Sequence, residues 1–193
     1  GDDIDRYIAY NFLLPRFMAE NGKSVDDFRT KELHFIATQL YKIAEQLKIL
    51  ISKDLSTKMY DFKLLESYKN SDAKAMVVVN IKIETSKGEL QQGEFFLTYK
   101  EFSETMAVFT RPLSGRGLFA SKLLKKKVKG DEGYNTILEP IESAIKKAAI
   151  ERFEIDYVLL IGGSAQNPYI QEKLNEYFAD SKLLVPRDLQ THV

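Results

Sequence analysis

A short apolar run that ends in a pair of glycines constrains the fold of this chain more than any other feature. Residues 157–161 are typical of a buried strand, and 162–164 (GGS) follow them directly. Pro168 then opens a segment whose apolar residues recur at helical spacing, and proline is favoured in the first turn of a helix. With a second apolar run at 183–185, the sequence predicts a small parallel βαβ unit.

The glycine turn in this unit favours a bound ligand. Glycines let a backbone approach a bound group closely, and the N-terminus of a helix presents N–H groups and a positive dipole. A phosphate or a ribose is the group that such a turn fits best. A plain tight turn in an α/β protein has the same sequence, so both interpretations stay open for this motif.

The composition excludes several classes of function. Lys and Arg together number 28, as do Asp and Glu, and this neutral balance argues against nucleic acid as a partner. The chain has no cysteine and only 2 histidines, so thiolate and histidine-rich metal sites are excluded. No apolar run is long enough to span a membrane and no signal peptide opens the chain, so we expect a cytoplasmic protein with no membrane partner.

The first part of the chain has helical spacing in two places. Residues 4–20 predict a helix that Pro15 kinks or ends. Residues 31–55 predict a long helix, because one apolar stripe runs along its whole length. Residues 56–75 are mostly polar, so we expect irregular structure between this helix and the next element.

A β-hairpin and a helix are predicted next. Residues 75–84 and 93–99 are rich in strand-forming side chains and flank a turn, which predicts two antiparallel strands. Thr98 is a candidate cap for a helix over 99–109, because a glutamate follows it three residues later.

The segment before the βαβ unit combines a loop with a helix. Residues 110–134 are rich in glycine and lysine, which predicts a loop with a solvated basic surface. Residues 134–149 predict a long amphipathic helix with Ala144 and Ala148 on its inner face, and Pro140 inside it predicts a kink.

The long helix at 31–55 carries a polar strip beside its apolar stripe. Glu45, Lys48 and Ser52 fall on this strip because they are spaced at i, i+3 and i+7. A carboxylate, an ammonium and a hydroxyl in one row can bind a sugar and a purine. A solvated helix flank is the commoner role of such residues, so the strip alone leaves both interpretations open.

Motifs at both ends and in the middle of the chain together resemble the DnaK-type heat-shock chaperones, which are relatives of actin. Residues 157–164 (YVLLIGGS) with 168–171 (PYIQ) look like the adenosine motif of that family. Residues 1–5 (GDDID) are similar to the start of one lobe of its ATPase, and 44–52 (AEQLKILIS) resemble its Glu-x-x-Lys-x-x-x-Ser helix. The motifs occur in the family's order and reach nearly from end to end.

The resemblance implies an α+β fold divided in two. Residues 1–154 would form a lobe of helices and an antiparallel sheet, the second lobe of a nucleotide-binding domain. Residues 155–193 would form the βαβ edge of the adjoining actin-like, ribonuclease H-like ATPase subdomain.

The resemblance also implies an adenine-nucleotide site. Glu45 and Lys48 would bind ribose hydroxyls, Ser52 the adenine, and Asp188 would lie near the phosphates. Gln166 stands where the family often has an arginine beside the adenine. The implied site residues are Gly1, Glu45, Lys48, Ser52, Gly162, Gly163, Ser164, Gln166 and Asp188.

The function that the resemblance implies is part of a divergent, ATP-dependent chaperone of protein folding and stress response. It would bind ATP or ADP, with an exchange factor or co-chaperone and unfolded clients as partners. The family's phosphate loops, catalytic lysine and Mg²⁺ ligands precede the position of Gly1, so we expect a piece of a longer ATPase that is not catalytic alone. Two alternatives stay open: a protein-interaction lobe that no longer binds nucleotide, and part of a sugar or acetate kinase.

Overall fold

The described part of the chain forms an α+β fold with one antiparallel and one parallel sheet, as the sequence predicts. The computed structural model describes residues 1–58, 62–111 and 136–186, without the side chains of 62–65. The helices are α1 (Asp2–Ile8), α2 (Leu14–Glu20), α3 (Thr30–Ser56), α4 (Phe62–Lys69), α5 (Tyr99–Phe109), α6 (Leu138–Ala148) and α7 (Pro168–Tyr177). The strands are β1 (Lys74–Thr85), β2 (Gly88–Thr98), β3 (Tyr157–Leu159) and β4 (Lys182–Leu184). Asp188 and most of the predicted basic loop lie outside the described residues.

A π-helical turn joins α1 to α2, so the helix does not end at Pro15. The turn covers Ala9–Leu13, and its last N–H bond runs from Leu14 to the carbonyl of Ala9. Pro15 therefore falls in the first turn of α2, where its missing N–H costs little. The helical conformation therefore continues through Pro15 instead of ending there, and a kink at this residue stays a prediction.

Helix α3 forms the centre of the core, as its apolar stripe predicts. The buried residues of this helix include the whole predicted stripe, namely Leu33, Ile36, Ala37, Leu40, Ala44, Leu47 and Ile51. Helix α1, the hairpin and helix α5 all contact α3. This packing places the predicted polar strip of α3 directly beside the start of α1.

The hairpin is longer than predicted, and part of the segment before it is helical. Strand β2 begins at Gly88, where φ is +102°, and pairs with β1 along its length apart from a bulge after Val78. Helix α4 occupies part of the segment predicted as irregular. It is held by a tertiary contact that spacing does not reveal: the Tyr68 ring packs 5.0 Å from the Tyr99 ring. Thr98 caps α5 with Glu101 in a capping box, as predicted.

Helix α6 begins later than predicted, so Pro140 does not lie in the helix interior as the predicted kink required. The hydroxyl of Thr136 accepts a hydrogen bond from the N–H of Leu138 at 3.0 Å, which starts the helix there. Pro140 is therefore the third helical residue, where its missing N–H would have no partner within the helix in any case. Ala144 and Ala148, predicted to face inward, are exposed.

The predicted βαβ unit is present. Strands β3 and β4 pair in parallel, with Val158 opposite Leu183, and α7 connects them. Gly162 has φ +90°, a conformation that favours glycine, and it turns the chain out of the strand. One face of this sheet is bare: Tyr157, Leu159 and Ile161 are 64%, 59% and 72% exposed.

Candidate functional site

A cleft of about 280 Å³ lies where α1, α3 and the turn after β3 meet. It brings together residues from all three motifs that the sequence singles out. The predicted site residues in its lining are Gly1, Glu45, Lys48, Ser52, Gly163, Ser164 and Gln166. Gly162 precedes the lining turn, and Asp188 lies outside the described residues. The role of each residue stays a prediction.

A larger hollow lies against α6 but has no comparable chemistry. Its volume is about 520 Å³, and its lining comes from that one helix: Glu139, Glu142, Ser143, Lys146 and Lys147. Groups that converge on a ligand normally come from several elements. We therefore take the cleft at α1 and α3 as the candidate site.

The polar strip of α3 runs from the rim of the cleft to its bottom. Glu45 is exposed, the side chain of Lys48 is 12% exposed and Ser52 is buried. The gradient follows from the helix geometry, because each residue lies one turn further along the edge of the buried stripe. A ligand in this cleft thus meets a carboxylate, an ammonium and a hydroxyl in sequence.

An ion pair joins α1 to α3 at this cleft. The ammonium of Lys48 donates a hydrogen bond of 2.8 Å to Oδ2 of Asp5, and the two side chains are 12% and 10% exposed. Burial raises the pKa of Asp5 above its ordinary value, against the opposing effect of Lys48, and the charge of Glu45 raises it further. Within the described residues, Oδ1 of Asp5 is buried and has no hydrogen-bond partner.

Sequence reasoning did not single out Asp5, although a signal exists. Ile4 and Ile8 are both buried, one on each side of Asp5. An acid placed within such a stripe, on the first turn of a helix, is a candidate for a buried ion pair.

The N-terminus of α7 is not free, which corrects the expectation of open N–H groups there. Asn167 is 2% exposed, and its Oδ1 accepts a hydrogen bond of 3.0 Å from the N–H of Tyr169. A 3₁₀ turn, Gly163–Gln166, separates this helix from Gly162. Asn167 also donates from Nδ2 to Oγ of Ser52 at 3.4 Å. An asparagine directly before a proline is a cap signal that the sequence offers.

The charges in the cleft favour a neutral, hydroxyl-bearing ligand. Its acids are Asp2, Asp5 and Glu45, and its side-chain cations are Lys48 and Lys53. Lys48 is already paired with Asp5, and the nearby helix N-terminus is capped. This arrangement suits a sugar and a base better than a phosphate, because phosphate sites rely on free N–H groups and unpaired cations.

The described residues contain no group of three or more His, Cys, Asp or Glu side chains placed to hold a metal ion. They also contain no helix long and apolar enough to cross a membrane.

Comparison with known proteins identifies relatives of this chain. A model of the Hsp70 protein family matches residues 130–185. The ribosome-associated molecular chaperone SSB of Candida glabrata is 40% identical over 50 residues, which are 26% of this chain and 8% of that protein. Heat shock 70 kDa protein 13 of Bos taurus is 30% identical over 112 residues, which are 54% of this chain and 24% of that protein.

These matches confirm the resemblance to the DnaK-type heat-shock chaperones. The matched segments cover 26% and 54% of this chain, and they span 8% to 24% of the length of these relatives. The family match covers the glycine turn and α7, the elements from which the resemblance to an adenosine motif was drawn.

Proposed function

We propose that this Hsp70-type chain is the adenine-nucleotide-binding lobe of a divergent, ATP-dependent molecular chaperone. The observation that carries the proposal is the cleft of about 280 Å³, which joins the start of α1, the polar strip of α3 and the glycine turn. These three segments are far apart in sequence, and each resembles a motif of the family's nucleotide-binding domain.

Different walls of the cleft contact the ribose and the base of the nucleoside. Glu45 and Lys48 bind the ribose hydroxyls, and Ser52 donates to a ring nitrogen of the base. Gly163 and Ser164 line the other wall and bring the backbone close to the ligand. Gln166 lies beside the base, and its amide offers a hydrogen bond in place of a cation.

The bare face of the parallel sheet supports a place within a larger, actin-like ATPase domain. Parallel sheets are normally covered on both faces, yet Tyr157, Leu159 and Ile161 are exposed here. Further chain of the parent would cover them, and residues 155–193 would then belong to a different subdomain from 1–154. The parent would supply the phosphate contacts and Mg²⁺, act in the cytoplasm, and bind clients, co-chaperones and exchange factors.

Titration of the purified chain with adenosine tests this function, and Glu45→Ala is the decisive variant. The loss of a charged hydrogen bond to the ligand costs about 1.5–3 kcal/mol, so affinity should fall about ten- to a hundredfold by calorimetry. Glu104→Ala is the matched control, because Glu104 is an exposed helical carboxylate outside the cleft.

Two results would contradict the proposal. Equal affinities of Glu45→Ala and Glu104→Ala for adenosine would show that the polar strip of α3 is only a solvated helix flank. A chain that bound neither adenosine nor ADP would instead fit the alternative of a protein-docking lobe without nucleotide.

A further inference from the structure

We propose that Asp5 is a positioning residue of the cleft: it holds the ammonium of Lys48 where a ligand hydroxyl can meet it. Because Lys48 is one of the hydroxyl-binding residues of the function proposed above, this role of Asp5 rests on that function. Asp5 lines the cleft but belongs to none of the residues that the sequence assigned to the ligand.

The geometry of the pair fixes a side chain that is otherwise mobile. A lysine carries its ammonium on a flexible four-carbon stem, and an unpaired ammonium turns toward water. Here the hydrogen bond of 2.8 Å to Asp5 holds the ammonium against α1, and both side chains are almost fully buried. The ammonium therefore stays inside the cleft, between Glu45 at the rim and Ser52 at the bottom.

The ammonium keeps donors for a ligand. It has three N–H groups, and Asp5 is the one partner found for it in the part of the chain that the structure describes. The remaining N–H groups are therefore available to hydroxyl oxygens in the cleft. Fixing such donors in advance lowers the entropy lost on binding and so raises affinity.

The ion pair of Asp5 and Lys48 differs from an ordinary structural ion pair, because Oδ1 of Asp5 has no hydrogen-bond partner among the described residues. A buried carboxylate oxygen without a partner costs stability, and most native structures avoid it. Such a cost is commonly tolerated at functional sites. The unpaired Oδ1 belongs to a residue that lines the cleft, so this loss of stability occurs at the candidate site.

The test compares adenosine with 2′,3′-dideoxyadenosine, which lacks the 2′- and 3′-hydroxyls of the ribose and keeps the 5′-hydroxyl. For the unaltered chain, adenosine should bind about tenfold tighter or more, since charged hydrogen bonds to hydroxyls carry that difference. In Asp5→Asn most of this preference should disappear, while the affinity for the dideoxynucleoside stays the same. Asp3→Asn removes the same charge from an exposed position of the same helix, and it should keep the full preference.

Lys48→Ala measures how much of the preference for adenosine over the dideoxynucleoside depends on the ammonium. If Asp5 acts only through Lys48, the double variant with Asp5→Asn should lose no more of this preference than Lys48→Ala alone. An equal loss of affinity for both nucleosides in Asp5→Asn would mean that Asp5 only supports the fold. An unchanged preference in that variant would also overturn the role of Asp5 while leaving the proposed function standing. If the unaltered chain binds neither nucleoside, the proposed function fails first and the role of Asp5 fails with it.

Discussion

At the scale of single residues, the cleft contains two kinds of side chain. We expect one kind to contact a ligand, and the other kind holds neighbouring side chains in position. Glu45, Lys48 and Gln166 are the predicted ligand contacts, while Asp5 and Asn167, which also line the cleft, hold Lys48 and Ser52 in place. The first set was predicted from motifs. The second set was not, because its members act through contacts between segments that are far apart in the chain.

Gln166→Arg is expected to tighten adenosine binding. Gln166 is half-buried at the wall of the cleft, so a guanidinium there can lie over the purine. Stacking of a cation on an aromatic ring adds about 0.5–2 kcal/mol, which corresponds to roughly a two- to thirtyfold gain in affinity. Calorimetry with adenosine measures this gain directly.

Gln46→Arg is the control for that substitution. Gln46 is exposed on α3 and outside the lining of the cleft, so the same added charge should leave the affinity unchanged there. A gain in both variants would point to general electrostatics. No gain in Gln166→Arg, with the fold intact, would mean that adenine does not lie against this wall.

At the scale of elements, Asp54 ties the end of α3 to the start of α5. Its Oδ2 accepts a hydrogen bond of 2.5 Å from the hydroxyl of Tyr99 and another from the ammonium of Lys58. Burial acts to raise the pKa of Asp54, but these hydrogen bonds outweigh it and hold the pKa below its ordinary value. The ionised form of Asp54 therefore stabilises the fold.

Asp54→Asn is expected to lower the free energy of unfolding by about 1 kcal/mol at neutral pH, because the pair is partly screened by solvent. The stabilisation is present above the unfolded-state pKa of an aspartate and is lost as the pH falls through the lowered folded-state pKa. The difference between variant and unaltered chain should thus shrink in strongly acidic solution. Urea unfolding at several pH values measures it.

Asp72→Asn is the comparison for that series, because Asp72 is exposed before β1. Its unfolding free energy should follow the unaltered chain at every pH. A deficit for Asp54→Asn that stayed constant down to the lowest pH would show that the ionised carboxylate is not what stabilises this junction.

The prolines illustrate what the sequence could and could not predict about elements. Proline disrupts a helix only in its interior, so the effect depends on where the helix starts. Pro15 follows a π turn and Pro140 lies in a first turn, and neither start is visible in apolar spacing. The long helix α3 and the capping box at Thr98 were predictable because their signals are local.

At the scale of the whole molecule, the cleft depends on segments that the fold brings together from three parts of the chain. Spacing predicted which face of α3 carried Glu45 and Lys48, and the resemblance predicted their grouping with the glycine turn. No local signal sets the distance between α1 and α3, so the ion pair at Asp5 required the structure. Similarly, α4 is held against Tyr99 by a contact that composition alone does not indicate.

This chain alone is expected not to hydrolyse ATP. Phosphoryl transfer needs a phosphate cradle, a held metal ion and a positioned water. The cleft is lined by three acids, the helix N-terminus beside it is capped by Asn167, and the described residues hold no cluster of metal ligands. Phosphate release from Mg·ATP should equal that of buffer. Turnover that followed the protein through several purification steps would contradict this expectation.

The bare face of the parallel sheet is also a suitable place for an introduced fluorescent reporter. The chain has no tryptophan, so its ultraviolet fluorescence comes from its 10 tyrosines alone. Tyr157 is 64% exposed on that face. A tryptophan in its place would emit at long wavelength while the face is wet and at shorter wavelength once neighbouring chain covers it. The emission wavelength of this tryptophan would then distinguish the isolated lobe from a lobe that packs within a larger domain.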